Sequence, residues 1–191
     1  MQRLRRRGFK WVVWCLLVLE RREAALHRLH AMLQEFPDDP YAIASIAHLH
    51  AQAGRKADAI DTLGRLLALD PANGLHWFNY GFLLEEQGRY GEAESAFRRA
   101  VDLRPSLDRA WYGLGLVLIR LGRLDEAIDA LKRNTQLQPM SPYGWYQLAR
   151  VHVDRQQPDE ARRIIRHLKG FEPKVAAQLE RETGLVVAQA T

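Results

Sequence analysis

The residues best equipped for chemistry in this sequence are seven histidines, a single cysteine and a few acid pairs, and their spacing limits what they can do. His27 and His30 stand three apart with Glu23 one helical turn earlier, the spacing of a weak metal site. The same spacing suits a solvated helix face, which is the simpler reading. His48 and His50 are two apart and point to different faces of a helix. Cys15 lies in an apolar run, where thiols are inert. Alone, it forms no internal disulfide and no zinc framework, which fits a reducing compartment. Gly113 and Gly115 lack the third glycine and the preceding strand of a dinucleotide loop. No serine sits in a nucleophile elbow. Glu85 and Glu86, like Asp38 and Asp39, fall at predicted helix ends and turns, where carboxylates cap helices and keep the surface soluble. Nothing here converges on a catalytic or metal site. The expectation is a protein that is not an enzyme and needs no cofactor.

The elements that carry these residues repeat. Pro71, Pro105, Pro139 and Pro173 are spaced 34 residues apart. Trp77, Trp111 and Trp145 share that period, as do Gly54, Gly88 and Gly122, and Ala59, Ala93, Ala127 and Ala161. Four uninterrupted segments follow, 40–73, 74–107, 108–141 and 142–175. Each reads as two helices. In 74–87, Trp77, Tyr80, Gly81 and Leu84 share one helical face. Gly88 breaks that helix and can take a left-handed turn. Ala93, Phe97, Ala100 and Leu103 form the inner face of a second helix over 90–103, and Pro105 ends it. Gly81 and Ala93 let two backbones approach, while Trp77 and Phe97 fill the space beside them.

This arrangement resembles the tetratricopeptide repeat, a 34-residue helix–turn–helix with a tryptophan, a small residue and a tyrosine on the first helix, then an alanine, a phenylalanine and a proline. The 108–141 unit carries Trp111, Leu114, Gly115, Ala127, Leu131 and Pro139, with Leu118 in the tyrosine position. The 142–175 unit carries Trp145, Leu148, Ala149, His152, Ala161, Ile165 and Pro173, and the looser 40–73 unit has Ile43 for the tryptophan. His50 and His152 both occupy the tyrosine position, which argues for packing. Two departures stand out. Gln156 replaces the turn glycine, followed by Pro158, so that turn is open to a different shape. Asn134 occupies a small apolar position, so it either bonds a neighbouring backbone group or breaks the packing locally.

The resemblance implies an all-α, right-handed superhelical solenoid of antiparallel helix pairs, with every segment consumed by the stack and no room for a catalytic domain. Residues 174–183 read as an amphipathic capping helix between Pro173 and Gly184, and 185–191 as a frayed tail. At the other end, 6–39 would be a degenerate unit. Its second helix, 23–36, keeps Ala25, Leu29 and Met32 in frame. Its first helix contains Trp11 to Leu19, apolar on every side, and a helix apolar all round should be buried all round.

Residues 1–10 form a basic arm before that run. They hold Arg3, Arg5, Arg6, Arg7 and Lys10 and no acid, leaving 23 bases against 23 acids in the rest of the chain. The body is therefore no basic nucleic-acid surface. Nine apolar residues fall short of the roughly 20 that a membrane span needs. A secretory signal would need a small-residue cleavage site, which does not follow, and Trp14 before Cys15 does not suit a lipoprotein. Capping the stack, or docking on a membrane surface or membrane protein through Arg5, Arg6, Arg7, Lys10, Trp11 and Trp14, fits the run best.

In this family the first helix of each pair lines a concave face, so residues between the packing positions should face a groove. In frame these are Ser45 and His48; Leu75, Phe78, Asn79 and Phe82; Arg109, Tyr112 and Leu116; Tyr143, Tyr146, Gln147 and Arg150. Tyrosine, phenylalanine and arginine dominate binding hot spots. Asn79 and Arg109 match positions of the family's carboxylate clamp, but Ala44, His48 and Gly113 leave it incomplete, which points to an apolar or amphipathic segment as ligand. The expected role is a cytoplasmic adaptor or scaffold whose groove holds part of a partner protein. The alternative is a subunit or assembly factor of a membrane-associated complex, peripheral or anchored through its N-terminus.

Overall fold

The computed structural model describes residues 2–188 and contains eleven α-helices among them. They run α1 (Gln2–Val18), α2 (Arg22–Glu35), α3 (Pro40–Gln52), α4 (Lys56–Leu69), α5 (Gly74–Glu86), α6 (Tyr90–Leu103), α7 (Asp108–Arg120), α8 (Leu124–Leu137), α9 (Pro142–Asp154), α10 (Pro158–Lys169) and α11 (Pro173–Thr183). Each helix packs on its chain neighbours, and α5, α7, α9 and α11 also touch in turn, so the odd-numbered helices from α5 onward form one wall of the stack, with α3 facing α5. The fold is the expected solenoid of helix pairs.

The turns explain why the period is so regular. Gly54, Gly88 and Gly122 all adopt φ near +73°, the left-handed conformation that a side chain resists. After each, the amide of Arg55, Arg89 or Arg123 returns to the carbonyl of His50, Leu84 or Leu118 at 2.9 Å. Gln156 reaches φ 57°, and Gln157 N–H bonds the His152 carbonyl at 2.8 Å. The turn that was open to a different shape thus keeps the shape of the others, because the packing of α9 on α10 holds a non-glycine residue where glycine is cheapest. Glu20, 34 residues before Gly54, does the same at φ 55°, with Arg21 N–H on the Leu16 carbonyl at 2.8 Å.

Three tryptophans tie each unit to the one before it. The indole N–H groups of Trp77, Trp111 and Trp145 donate to the carbonyls of Pro71, Pro105 and Pro139 at 2.8–2.9 Å. Proline supplies no N–H of its own there but leaves its carbonyl free to accept. Asn134 takes the first of its two alternatives. It is buried, and its side-chain amide donates to the Asp108 carbonyl at 2.9 Å. A Cβ on Gly144 would collide with its Oδ1, so the glycine accommodates the polar intruder.

Both ends depart from expectation. The basic arm and the apolar run are one continuous helix, α1. The run is not buried all round: Val13 faces the core, as Phe9 does one turn before it, while Trp11 is 68% and Trp14 59% exposed. The physical reason is position: among the described residues α1 packs chiefly on α2, and no helix lies against its second face. At the other end, α11 is ended by Gly184 at φ 71°, and one residue of the expected frayed tail, Val187, packs back onto the stack. Val187 is buried, its N–H donates to Glu180 Oε1 at 2.7 Å, and Lys169 donates to its carbonyl. Residues 189–191 of the expected tail lie outside the described part of the chain.

Candidate functional site

The odd-helix wall is hollow between α3 and α5. Along α3, α5, α7 and α9 one repeat position reads Ala44, Phe78, Tyr112 and Tyr146. Where the series is aromatic, neighbouring helices are bridged by rings. Where it is alanine, space is left. Ala44, Ala47 and Ala51 of α3 face Phe78, Asn79 and Phe82 of α5 across a cavity of about 540 Å³. Leu63 and Leu66 of α4 make its floor, and His48, His76, Glu86 and Arg109 its polar boundary.

The aromatic side of this cavity is built from the core outward. Phe97 of α6 is buried, with its ring 6.1 Å from that of Phe78. Phe78 stacks on Phe82 at 6.5 Å, and the Arg109 guanidinium of α7 lies 5.1 Å over the Phe78 ring. Phe82, at the outer end of this series, is 46% exposed. His76 Nδ1 stands 3.8 Å from Asp70 Oδ2, beyond hydrogen-bond reach. Burial lowers the pKa of His76 more than Asp70 raises it, which favours the neutral ring.

Further along the wall, Arg109, Tyr112 and Tyr143 border a second cavity of about 400 Å³ with Asp108, Asn134 and Ser141. Tyr112 is half-buried, and desolvation raises its pKa. Leu116 is half-buried one turn beyond it, and Ser45 and Leu75 are half-buried on α3 and α5. Near α11 the wall is occupied by the chain itself. Tyr146 O–H donates to Glu182 Oε2 of α11 at 2.5 Å, and Arg150 lies 5.8 Å over the Tyr146 ring. Arg150 and Glu182 share a smaller hollow of about 230 Å³. His48, Phe78, Asn79, Phe82 and Arg109 therefore come together, Tyr112 and Tyr143 adjoin them through Arg109, and Tyr146 and Arg150 face the capping helix. The deciding role of the three alanines of α3 was legible only as a gap in the aromatic series.

The N-terminal bases sort into two groups. Arg5 pairs with Glu35 at 3.5 Å, and Arg6 bonds Asp39, whose buried carboxylate also caps α3 by accepting from Ala42 N at 2.9 Å. Lys10 sits 4.6 Å over the Tyr41 ring. Arg7, Trp11 and Trp14 are exposed on α1. Among the described residues no helix is long and apolar enough to cross a membrane, and no cluster of three metal-ligating side chains occurs.

The architecture is shared with solved proteins of low sequence identity. A MamA structure is 18% identical over 97% of this chain and 97% of that one, with a TM-score of 0.79. YrrB, described as a TPR protein with an unusual peptide-binding site, is 19% identical over 88% of each chain, TM-score 0.79. PilF of Pseudomonas aeruginosa is 23% identical over 93% of this chain and 89% of that one, TM-score 0.71. No curated protein matches the chain in sequence. Profiles of the tetratricopeptide repeat match residues 44–108 and 83–142, and a second such profile matches 142–167. With more than half of its length matched and every helix pair in the expected frame, the chain belongs to the tetratricopeptide repeat family, whose fold serves as a protein–protein interaction scaffold.

Proposed function

We propose that the odd-helix wall of this scaffold holds a segment of a partner protein, with an apolar side chain of that segment seated between α3 and α5. The observation that carries this reading is the cavity itself: about 540 Å³, apolar on α3 and aromatic on α5. A space of that size, with a few polar groups at its edge, suits one or two large side chains and the backbone that bears them. Asn79 offers an amide to that backbone, and Arg109 a cation to a nearby carbonyl or carboxylate. The peptide-binding site for which YrrB is named supports the same use of the fold.

Photo-crosslinking tests the reading. A photoreactive phenylalanine analogue at position 82 should join the chain to a discrete partner, and the same group at exposed Arg99 on α6 should not. Phe82→Glu should remove the crosslink formed from position 79 while leaving the melting curve in place, because Phe82 is outside the core. Equal yields from positions 82 and 99, or an unchanged crosslink in Phe82→Glu, would reject the groove.

A further inference from the structure

We infer that the binding wall continues onto α1, and that the segment it holds is acidic with apolar anchors. This rests on the groove reading above and names the chemistry of its ligand. The 34-residue frame that puts Asn79 and Phe82 on the wall puts Trp11 and Trp14 at the same positions of α1. The frame is real at that end of the chain. Phe9 and Val13 are buried at the positions of Ile43 and Ala47, and Glu20 takes the left-handed turn of Gly54. Both tryptophans are more exposed than Phe82. Two indoles one turn apart, in line with an aromatic cavity, form an unpartnered apolar surface on the same side of the stack.

Charge decides what covers it. In the same frame Arg7 and Lys10 occupy the positions of Leu75 and Phe78, and Arg109 closes the far end. Among the described residues none of these three bases is ion-paired, whereas Arg5 and Arg6, at other positions of α1, are held by Glu35 and Asp39. The acid of the cavity, Glu86, is paired with Lys56 at 3.4 Å. The wall from α1 to α7 thus carries three unpaired bases and an aromatic series against one unpaired acid, Asp108, at its α7 end, and α1 contributes no acid to it. A segment bearing carboxylates between apolar side chains complements both properties. A second copy meeting α1 through its own α1 would bring two sets of unpaired bases together.

Display of random 15-residue peptides against the full chain tests this. The expected result is enrichment of peptides carrying several Asp or Glu residues between Leu, Phe or Trp. Their binding should fall at least about tenfold in Trp11→Glu/Trp14→Glu and in Arg7→Glu/Lys10→Glu, as for losing a hot-spot pair. It should weaken as salt rises from 0.1 M to about 0.5 M. Circular dichroism of the tryptophan variant should match the parent, since both rings are exposed. Four results would overturn the inference. The first is enrichment of neutral or basic peptides. The second is dependence on Phe82 with indifference to both α1 variants, which leaves the groove standing without α1. The third is capture of anionic phosphatidylglycerol vesicles through Trp11 and Trp14 with no peptide selected, making a lipid surface the occupant. The fourth is no peptide bound by the parent or any variant, in which case the groove reading falls as well.

Discussion

The ring of Phe97 and the α-carbon of Gly113 leave no room for a methyl group between them: a Cβ on Gly113 would lie 2.6 Å from Cζ of the ring. A Cβ on Gly81 would lie 3.1 Å from Cδ1 of the same ring. One buried phenylalanine from α6 is therefore clasped between glycines of α5 and α7, and the rings of Phe78 and Phe82 are stacked outward from it. The groove is supported by this contact rather than by its own residues alone.

Gly113→Ala should therefore cost about 1–3 kcal/mol, because the ring must move against a filled core. Phe97→Ala should cost about 3–5 kcal/mol, since it opens a cavity at the centre of the stack. Urea unfolding measures both. A Gly113→Ala protein as stable as the parent would show that the ring has somewhere else to go.

Gln156 holds a left-handed backbone that its three glycine counterparts adopt freely. Gln156→Gly should stabilise the protein by about 0.5–1 kcal/mol, and Gly88→Ala should destabilise it by about 1 kcal/mol. The comparison is made by thermal unfolding. A loss on Gln156→Gly would mean that the glutamine side chain contributes more than its backbone strain costs.

Tyr146 and Glu182 join the wall to the capping helix, and the bond leaves a titration signature. The phenol O–H, with help from Gln178, holds the Glu182 carboxyl below the usual glutamate range. Its folded-state pKa is below its unfolded value. The contribution of the bond is therefore present above the unfolded value and is lost as pH falls through the folded one. Carbon-detected NMR titration should find the Glu182 midpoint moved back toward the ordinary range in Tyr146→Phe. An unmoved midpoint would show that the bond does not form in solution.

Much of this molecule was legible along the chain. Period, helix pairing, turn positions and family follow from prolines, glycines, tryptophans and alanines at a fixed spacing, because each constrains the backbone or the packing of its own unit. Such local constraints repeat, so one correctly read unit sets the frame for the rest. The histidine at 152 illustrates the point: its place in the tyrosine position suggested packing, and it is buried with Nδ1 2.8 Å from Gln157 Oε1.

What the chain order could not decide was which wall positions stay open. Tyr146 and Phe78 share one repeat position, yet one is bonded by a helix 36 residues further on and the other lines an open cavity beside three alanines of α3. Arg6 and Arg7 are adjacent, yet one satisfies the buried carboxylate of Asp39 and the other faces outward. Accessibility is a property of neighbours that arrive from elsewhere in the chain. It was therefore settled only when the helices were stacked, by whether a later element had a side chain large enough, or of the right charge, to cover each position.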